Sequence, residues 1–220
     1  MGSDKQNVLV VGATGRIGSE VCKALTASGK FNVYGTTRRV PSARLEKSGV
    51  TAVKFAFGDK ASAINAIKVS NATSVFFVTD YFVAAKGKGE IEVEQGKILV
   101  DACKECNIEH VVFSSVADCD KVPENVEHFR TKWEVEKYLK ATRLSYSILR
   151  PTAFLENLHD PANWNPLTKG SVKGLWPHDL KLKMVSCHDI GKAAAAMIEN
   201  PKAWQDKTLD CVSCCVTGDQ

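Results

Sequence analysis

The chain has 220 residues, 44% of them hydrophobic and 25% charged, and a formal net charge of +4. That length suits one α/β domain with a proper core, and the ordinary composition excludes a disordered or fibrous chain. A mild charge with no clustered Lys/Arg run gives no case for nucleic-acid binding, and no apolar run reaches the roughly 18 residues of a membrane span. Val8-Leu9-Val10-Val11 reads as a buried strand. Gly12, Gly15 and Gly18 then punctuate a turn into the helical spacing of Ser19 to Leu25. Strand, glycine turn and helix gather backbone N–H groups and a helix N-terminus around one point, which attracts phosphate. Gly12 allows the tight turn, Gly15 the approach of a pyrophosphate, and Gly18 close packing of helix on strand. The spacing is GxxGxxG rather than GxGxxG, and its setting predicts a dinucleotide site.

Phe31 to Thr36 reads as the second strand, running into Thr37-Arg38-Arg39, and Pro41 opens a helix to about Gly49. An NAD site carries an acidic residue here for the ribose 2′-hydroxyl. Arginines stand in its place, and a guanidinium suits a 2′-phosphate. NADP(H) is therefore the expected cofactor, with Arg38 the main contact beside Thr37 and with Arg39 or Arg44 as helpers. Ala52 to Phe57 reads as the third strand, closing in Gly58-Asp59, where Asp59 caps the next helix, accepts from an adenine amino group, or does both. Ser74 to Val78 is the fourth strand and ends at Thr79-Asp80-Tyr81, before a loop, Lys86 to Gly89, expected to be mobile. A helix from about Glu90 to Cys106 offers Val93, Ile98, Leu99 and Ala102 as core positions. His110 to Phe113 is the fifth strand, leading to Ser114-Ser115. A helix over Glu127 to Ala141 and a strand over Leu144 to Leu149 follow. This alternation predicts an α/β fold with a doubly wound, Rossmann-type parallel sheet.

Arg150-Pro151 marks a break. Residues 1–150 are expected to form the NAD(P)-binding domain and residues 151–220 a small C-terminal lobe packed on it, not independent. Within that lobe the text is loop-like to Lys183, then gives a short strand at Met184 to Ser186. A helix over His188 to Ile198 and a strand over Thr208 to Val212 complete it. The eight cysteines have no framework spacing, and no signal-peptide pattern is present, so free thiols in a cytoplasmic protein are expected. Cys103 and Cys106 have CxxC spacing without a second ligand pair, and no metal site is expected.

Several segments together resemble the NmrA-like family, an atypical branch of the short-chain dehydrogenase/reductases, and most nearly its NADPH-sensing members. They are Val11 to Gly18, Phe77 to Phe82, Glu94 to Lys97, His128 to Glu136, Leu149 to Asn157 and Val185 to Gly191. The resemblance implies NADP(H) between a Rossmann domain and a second lobe. By position, Gly12, Thr14, Gly15, Arg16, Ile17 and Gly18 would line the pyrophosphate. Arg38 would meet the 2′-phosphate, Thr79 would lie beside the ribose, and Lys132 would hold the nicotinamide ribose. Pro151 to Phe154 would pass along the nicotinamide. Family members usually run several dozen residues longer, so a small lobe and a shallow cleft are expected.

Reductases of that superfamily use a serine, a tyrosine and a lysine four residues after the tyrosine, on one helix face. Here the pattern is Ser115, His128 and Lys132, with histidine where tyrosine is usual. A histidine can donate a proton, but a neighbouring ammonium disfavours its charged form. Two readings stand. One is a redox-sensing regulator with little or no dehydrogenase activity, its affinity for a protein partner set by cofactor occupancy. The other is an NAD(P)H-dependent reductase of quinones, flavins or small carbonyl compounds using Ser115, His128 and Lys132. Oligomeric state is not legible.

Overall fold

The computed structural model describes residues 5–159 and 179–217. The main sheet contains β1 (Gln6–Val10), β2 (Phe31–Thr37), β3 (Thr51–Lys54), β4 (Ser74–Val78), β5 (His110–Ser114), β6 (Tyr146–Pro151) and β9 (Lys207–Cys211). Its order is β3-β2-β1-β4-β5-β6-β9, and every pair is parallel. The first six follow the order of a dinucleotide-binding sheet, whose topological switch lies between β1 and β4. A second sheet has the order β10-β8-β7, from β7 (Ala153–Phe154), β8 (Leu182–Val185) and β10 (Cys214–Val216).

Alternation along β1 explains the two layers around the sheet. Val8 and Val10 face one core with Val21 and Leu25 of α1 (Arg16–Ser28) and Ile190 and Ala194 of α6 (Cys187–Glu199). Leu9 and Val11 face the other, with Ala66 of α3 (Lys60–Ser70), Leu99 of α4 (Gly89–Glu105) and Leu139 of α5 (Glu127–Lys140). Two single-turn helices, α2 (Ala43–Glu46) and α7 (Pro201–Trp204), and a 3-10 helix over Leu155–His159 complete the elements among the described residues. The expected boundary at 150 falls inside β6. Beyond it, α6 and β9 enter the layers of the main sheet, so residues on both sides share one core. Among the described residues no helix is long and apolar enough to cross a membrane.

Several expectations need correction. The helix expected to run from Pro41 to about Gly49 is one turn, ended by the positive φ (70°) of Gly49. The third strand stops at Lys54, and Phe55 and Phe57 leave it to pack edge to face at 5.0 Å. The sixth strand begins two residues late, because the Leu144 amide turns to Thr142 Oγ1, and it runs through the expected break at Arg150. On α4, Val93 and Ile98 are only half-buried, and the buried stripe carries Glu92, Gln95 and Gly96 instead. The Lys86–Gly89 stretch is tied down by hydrogen bonds from Ala85 N to Asp80 O (2.9 Å) and from Gly87 N to Tyr81 O (2.8 Å). The prolines and glycines from Pro161 to Pro177 lie outside the described residues.

All eight cysteines are free, and Cys103 is buried in the second core. Among the described residues no cluster of His, Cys, Asp or Glu could hold a metal ion.

One buried polar group, at the sheet end away from the glycine turn, makes the fold acid-sensitive. His110 is fully buried, with Nδ1 2.8 Å from Ser145 Oγ and Nε2 2.9 Å from Ser147 Oγ. Ser147 donates its own proton to Trp204 O (2.9 Å), so it accepts from Nε2–H, and Nδ1 accepts from Ser145. The ring is thus held neutral, and burial pushes its pKa down to about 4. An unfolded histidine takes a proton below about pH 6.5, so between about pH 6.5 and 4 the unfolded chain binds more protons and stability falls with pH. The expected loss across that window is about 3 kcal/mol from this residue. Urea denaturation at about pH 7 and about pH 4.5 checks it, and a His110→Gln chain should lack this part of the pH slope.

Candidate functional site

The glycine turn lies at the carboxyl end of β1. Gly12 has φ +82°, in the left-handed region, and its N–H donates to Thr36 Oγ1 at 3.1 Å. Gly15 is the N-cap of α1 and, having no side chain, supplies no capping acceptor of its own to the first turn of the helix. A Cβ on Gly18 would stand 2.1 Å from Gly12 O, so the helix closes on the turn only because no side chain is there. Thr14, Gly15 and Arg16 form an exposed crest, whereas Ile17 and Gly18 are buried behind it. The Ile17 side chain belongs to the first core, and only its main chain can serve the turn. Arg16 Nη1 donates to Asn157 Oδ1 at 2.7 Å, linking the crest to the segment after β7.

At the end of β2, Thr37 Oγ1 is turned onto the backbone of Arg39, and Arg38 is exposed beside it. Arg44 lines a depression of about 160 Å³ with Ala13 of the glycine turn and with Ser19, Cys22, Lys23 and Leu45. Asp59 caps α3, accepting from Ser62 N at 3.0 Å, so of its two expected roles the capping one is present in the fold. Pro151 is buried at the end of β6, its carbonyl bonded to Ala117 N (2.9 Å), and the half-buried Phe154 packs against the first core.

The three residues of the catalytic pattern have different partners. Lys132 Nζ donates to Thr79 O (2.8 Å), to Thr79 Oγ1 (2.7 Å) and to Glu92 Oε1. Burial pushes the ammonium below its ordinary pKa, against the attraction of Glu92. His128 lies one helical turn away among aromatic rings, 4.8 Å from Phe129, 5.6 Å from Phe82 and 5.9 Å from Tyr81 between centroids. Burial lowers its pKa, and the opposed charges of Glu92 and Lys132 act on it in second and third place. Phe82 and Val83 stand exposed at the crest of this loop. Ser115 turns elsewhere. Its Oγ is 3.7 Å from Cys119 Sγ, and Cys119 reaches Glu136 Oε1 at 3.3 Å. Among the described residues no hydrogen bond joins Ser115 to His128 or Lys132.

Glu136 anchors the network that takes Ser115. Arg150 grips it with two bonds of 2.8 Å, Lys140 adds a third at 3.0 Å, and Trp133 lies under both cations. Burial opposes the Glu136 charge, but these donors outweigh it and hold the carboxyl below its usual range. Burial and the same carboxylate push the Cys119 thiol up to about 12. The sequence reading missed Glu92, Gln95, Cys119, Glu136 and Arg150. A signal did exist for two of them: Glu92, Gln95 and Leu99 share one helical stripe, and a polar residue on a core stripe needs a partner. Gln95 Nε2 donates to Ala84 O (3.2 Å), while its Oε1 is buried without a partner among the described residues.

Comparison with known proteins now adds the family. The family model described as the NmrA-like family matches residues 4–220. This chain belongs to the NmrA-like family. It is 28% identical over 158 residues to the photosystem II assembly factor Ycf39 of Cyanophora paradoxa, covering 69% of this chain and 47% of that protein. To the NmrA-like family domain-containing oxidoreductase lnaB of Aspergillus flavus it is 26% identical over 167 residues, covering 71% and 49%. The chain thus spans about half the length of these relatives. Among solved structures, the Citrobacter triphenylmethane reductase complexed with NADP(H) superposes with a TM-score of 0.79 at 18% identity, covering 97% of this chain and 72% of that one. The Escherichia coli NADPH-dependent quinone oxidoreductase QOR2, complexed with NADPH, gives 0.78 at 21% identity, covering 96% and 71%. At these identities the likeness establishes the Rossmann-type fold.

Proposed function

We propose that this NmrA-like chain binds NADP(H) and acts as a redox-sensing regulator, with little or no dehydrogenase activity of its own. The observation that carries the proposal is the disposition of the three reductase-pattern residues. Lys132 gives its donors to Thr79 and Glu92, Ser115 is bound into the Glu136 network, and His128 packs among aromatic rings. Among the described residues none of the three donates a hydrogen bond to another, which supports a binding role over a proton relay.

The cradle itself fits a dinucleotide. The start of α1, where a glycine N-cap lets an anion approach the helix N-terminus, would take the diphosphate. Arg38, exposed at the carboxyl edge beside the switch point, would take the 2′-phosphate. Thr79, Lys132 and Phe154 would border the nicotinamide half. When bound, NADPH supplies a hydride donor; the residues of this chain hold and orient it. A ligand at about 100 times its Kd stabilises the bound state by about 2.7 kcal/mol, which is the free energy available for altering a partner surface.

Reductase activity is the second reading, and the ring cluster around His128 favours it. Exposed Phe82 and half-buried His128 offer a surface on which a planar acceptor such as a quinone or flavin would stack. Relatives named as reductases and quinone oxidoreductases keep it in view.

One set of measurements separates the two. NADPH should bind at least about tenfold tighter than NADH, and Arg38→Ala should erase the difference. Equal affinity for the two would remove the role given to Arg38. NADPH oxidation with quinones, flavins and aldehydes should stay at background. Turnover that disappears in both Lys132→Ala and His128→Ala would replace the regulator with the reductase.

A further inference from the structure

We propose that Glu92 is a latch on Lys132, a buried carboxylate that holds the ammonium against Thr79 and sets how tightly the nicotinamide-ribose half of a dinucleotide binds. The inference rests on the dinucleotide-binding reading above and concerns how that site is controlled.

An ammonium has three donors and no acceptor. All three on Lys132 are used inside the protein: one on the carbonyl that ends β4, one on the Thr79 hydroxyl, one on Glu92. The pair is shielded from water, with 11% of the Lys132 side chain and none of the Glu92 side chain exposed. Glu92 in turn accepts from Thr131 Oγ1 at 2.5 Å through its second oxygen. The latch therefore ties together the end of β4, the first turn of α4 and the first turns of α5, three elements at the carboxyl edge of the sheet. A ribose hydroxyl can take a bond from Lys132 only if one of the three present acceptors gives way. A carboxylate holds a cation more strongly than a neutral oxygen does, so Glu92 decides how readily that happens.

Glu92→Gln removes the charge and keeps the shape. The amide oxygen still accepts from Lys132, and the Thr131 hydroxyl can turn to accept from the amide nitrogen. Thr131→Val acts in the opposite sense, since a carboxylate stripped of its other donor leans harder on Lys132. The test titrates the full chain with NADPH and, separately, with adenosine 2′,5′-bisphosphate, which lacks the nicotinamide ribose. Glu92→Gln is expected to bind NADPH about fivefold tighter, the difference between a charged and a neutral acceptor. Thr131→Val is expected to bind it about twofold more weakly. The bisphosphate should bind all three proteins alike.

NADPH affinity unchanged or weaker in Glu92→Gln overturns the latch, as does an equal gain for the bisphosphate, which would mark a general charge effect. Either result leaves the dinucleotide site standing. Failure of the unaltered chain to bind either ligand overturns the site and the latch together. Should Glu92→Gln not fold, Thr131→Val decides alone, and no weakening of NADPH binding overturns the proposal.

Discussion

Arg150→Ala is expected to lower the free energy of unfolding by about 3 kcal/mol, read from urea denaturation at neutral pH. The Glu136 side chain is fully buried and that of Arg150 is 10% exposed, so the pair is screened little by water. Their two bonds are parallel and short, the geometry in which a guanidinium compensates a carboxylate best. Removing the cation strands a charge in the core, which typically costs about 3–5 kcal/mol. The lower end applies here because Lys140 keeps a 3.0 Å bond to the same carboxylate. Replacing both partners, as Glu136→Met with Arg150→Met, should cost much less than the two single changes added together, because no buried charge is left. A fall below about 1 kcal/mol in the single variant would show the pair to be solvated and the network incidental.

That pair also shows what was legible in the sequence. The apolar runs gave the first six strands of the main sheet and their order of appearance, because a buried parallel strand needs little beyond four or five β-formers, whereas the strand read over Thr208 to Val212 as part of the C-terminal lobe joins the main sheet beside β6. The glycine turn was legible because its spacing serves backbone geometry, which leaves a mark in the sequence. Arg150 reads instead as a break before proline. Nothing local shows that Glu136, one layer away on α5, cancels its charge and lets β6 bury it. The same blindness moved the core stripe of α4 from Val93 and Ile98 to Glu92 and Gln95. Buried charge is a pairwise property, and its partner lies 40 positions distant for Glu92 and 14 for Glu136. The site residues divide on the same line. Gly12, Gly15 and Gly18 form the tight turn their spacing implies, whereas Ser115 and Lys132 are bonded to partners that no spacing records.

Gly18→Ala is expected to abolish measurable NADPH binding and to destabilise the fold, whereas Gly15→Ala should weaken binding with little loss of stability. The added methyl at position 18 would meet Gly12 O at 2.1 Å, and backbone atoms line that contact on every side, at 2.6 Å for Gly12 C and 3.0 Å for Ala13 Cα. No side chain can swing away to relieve it. The first turn of α1 must move off the glycine turn, which carries an overpacking cost of about 1–3 kcal/mol and scatters the amides that were to converge on the diphosphate. At position 15 the single close neighbour is Gly12 O at 3.2 Å, the residue is exposed, and its φ of −81° suits alanine. A methyl there adds little strain to the folded chain, yet it stands on the crest where a diphosphate would approach. The two readouts, melting temperature without ligand and Kd for NADPH, should therefore separate: both change in Gly18→Ala, only the second in Gly15→Ala. Wild-type affinity in Gly15→Ala would mean that the crest of this turn does not carry the phosphate, and the dinucleotide site would have to be sought elsewhere on the sheet edge.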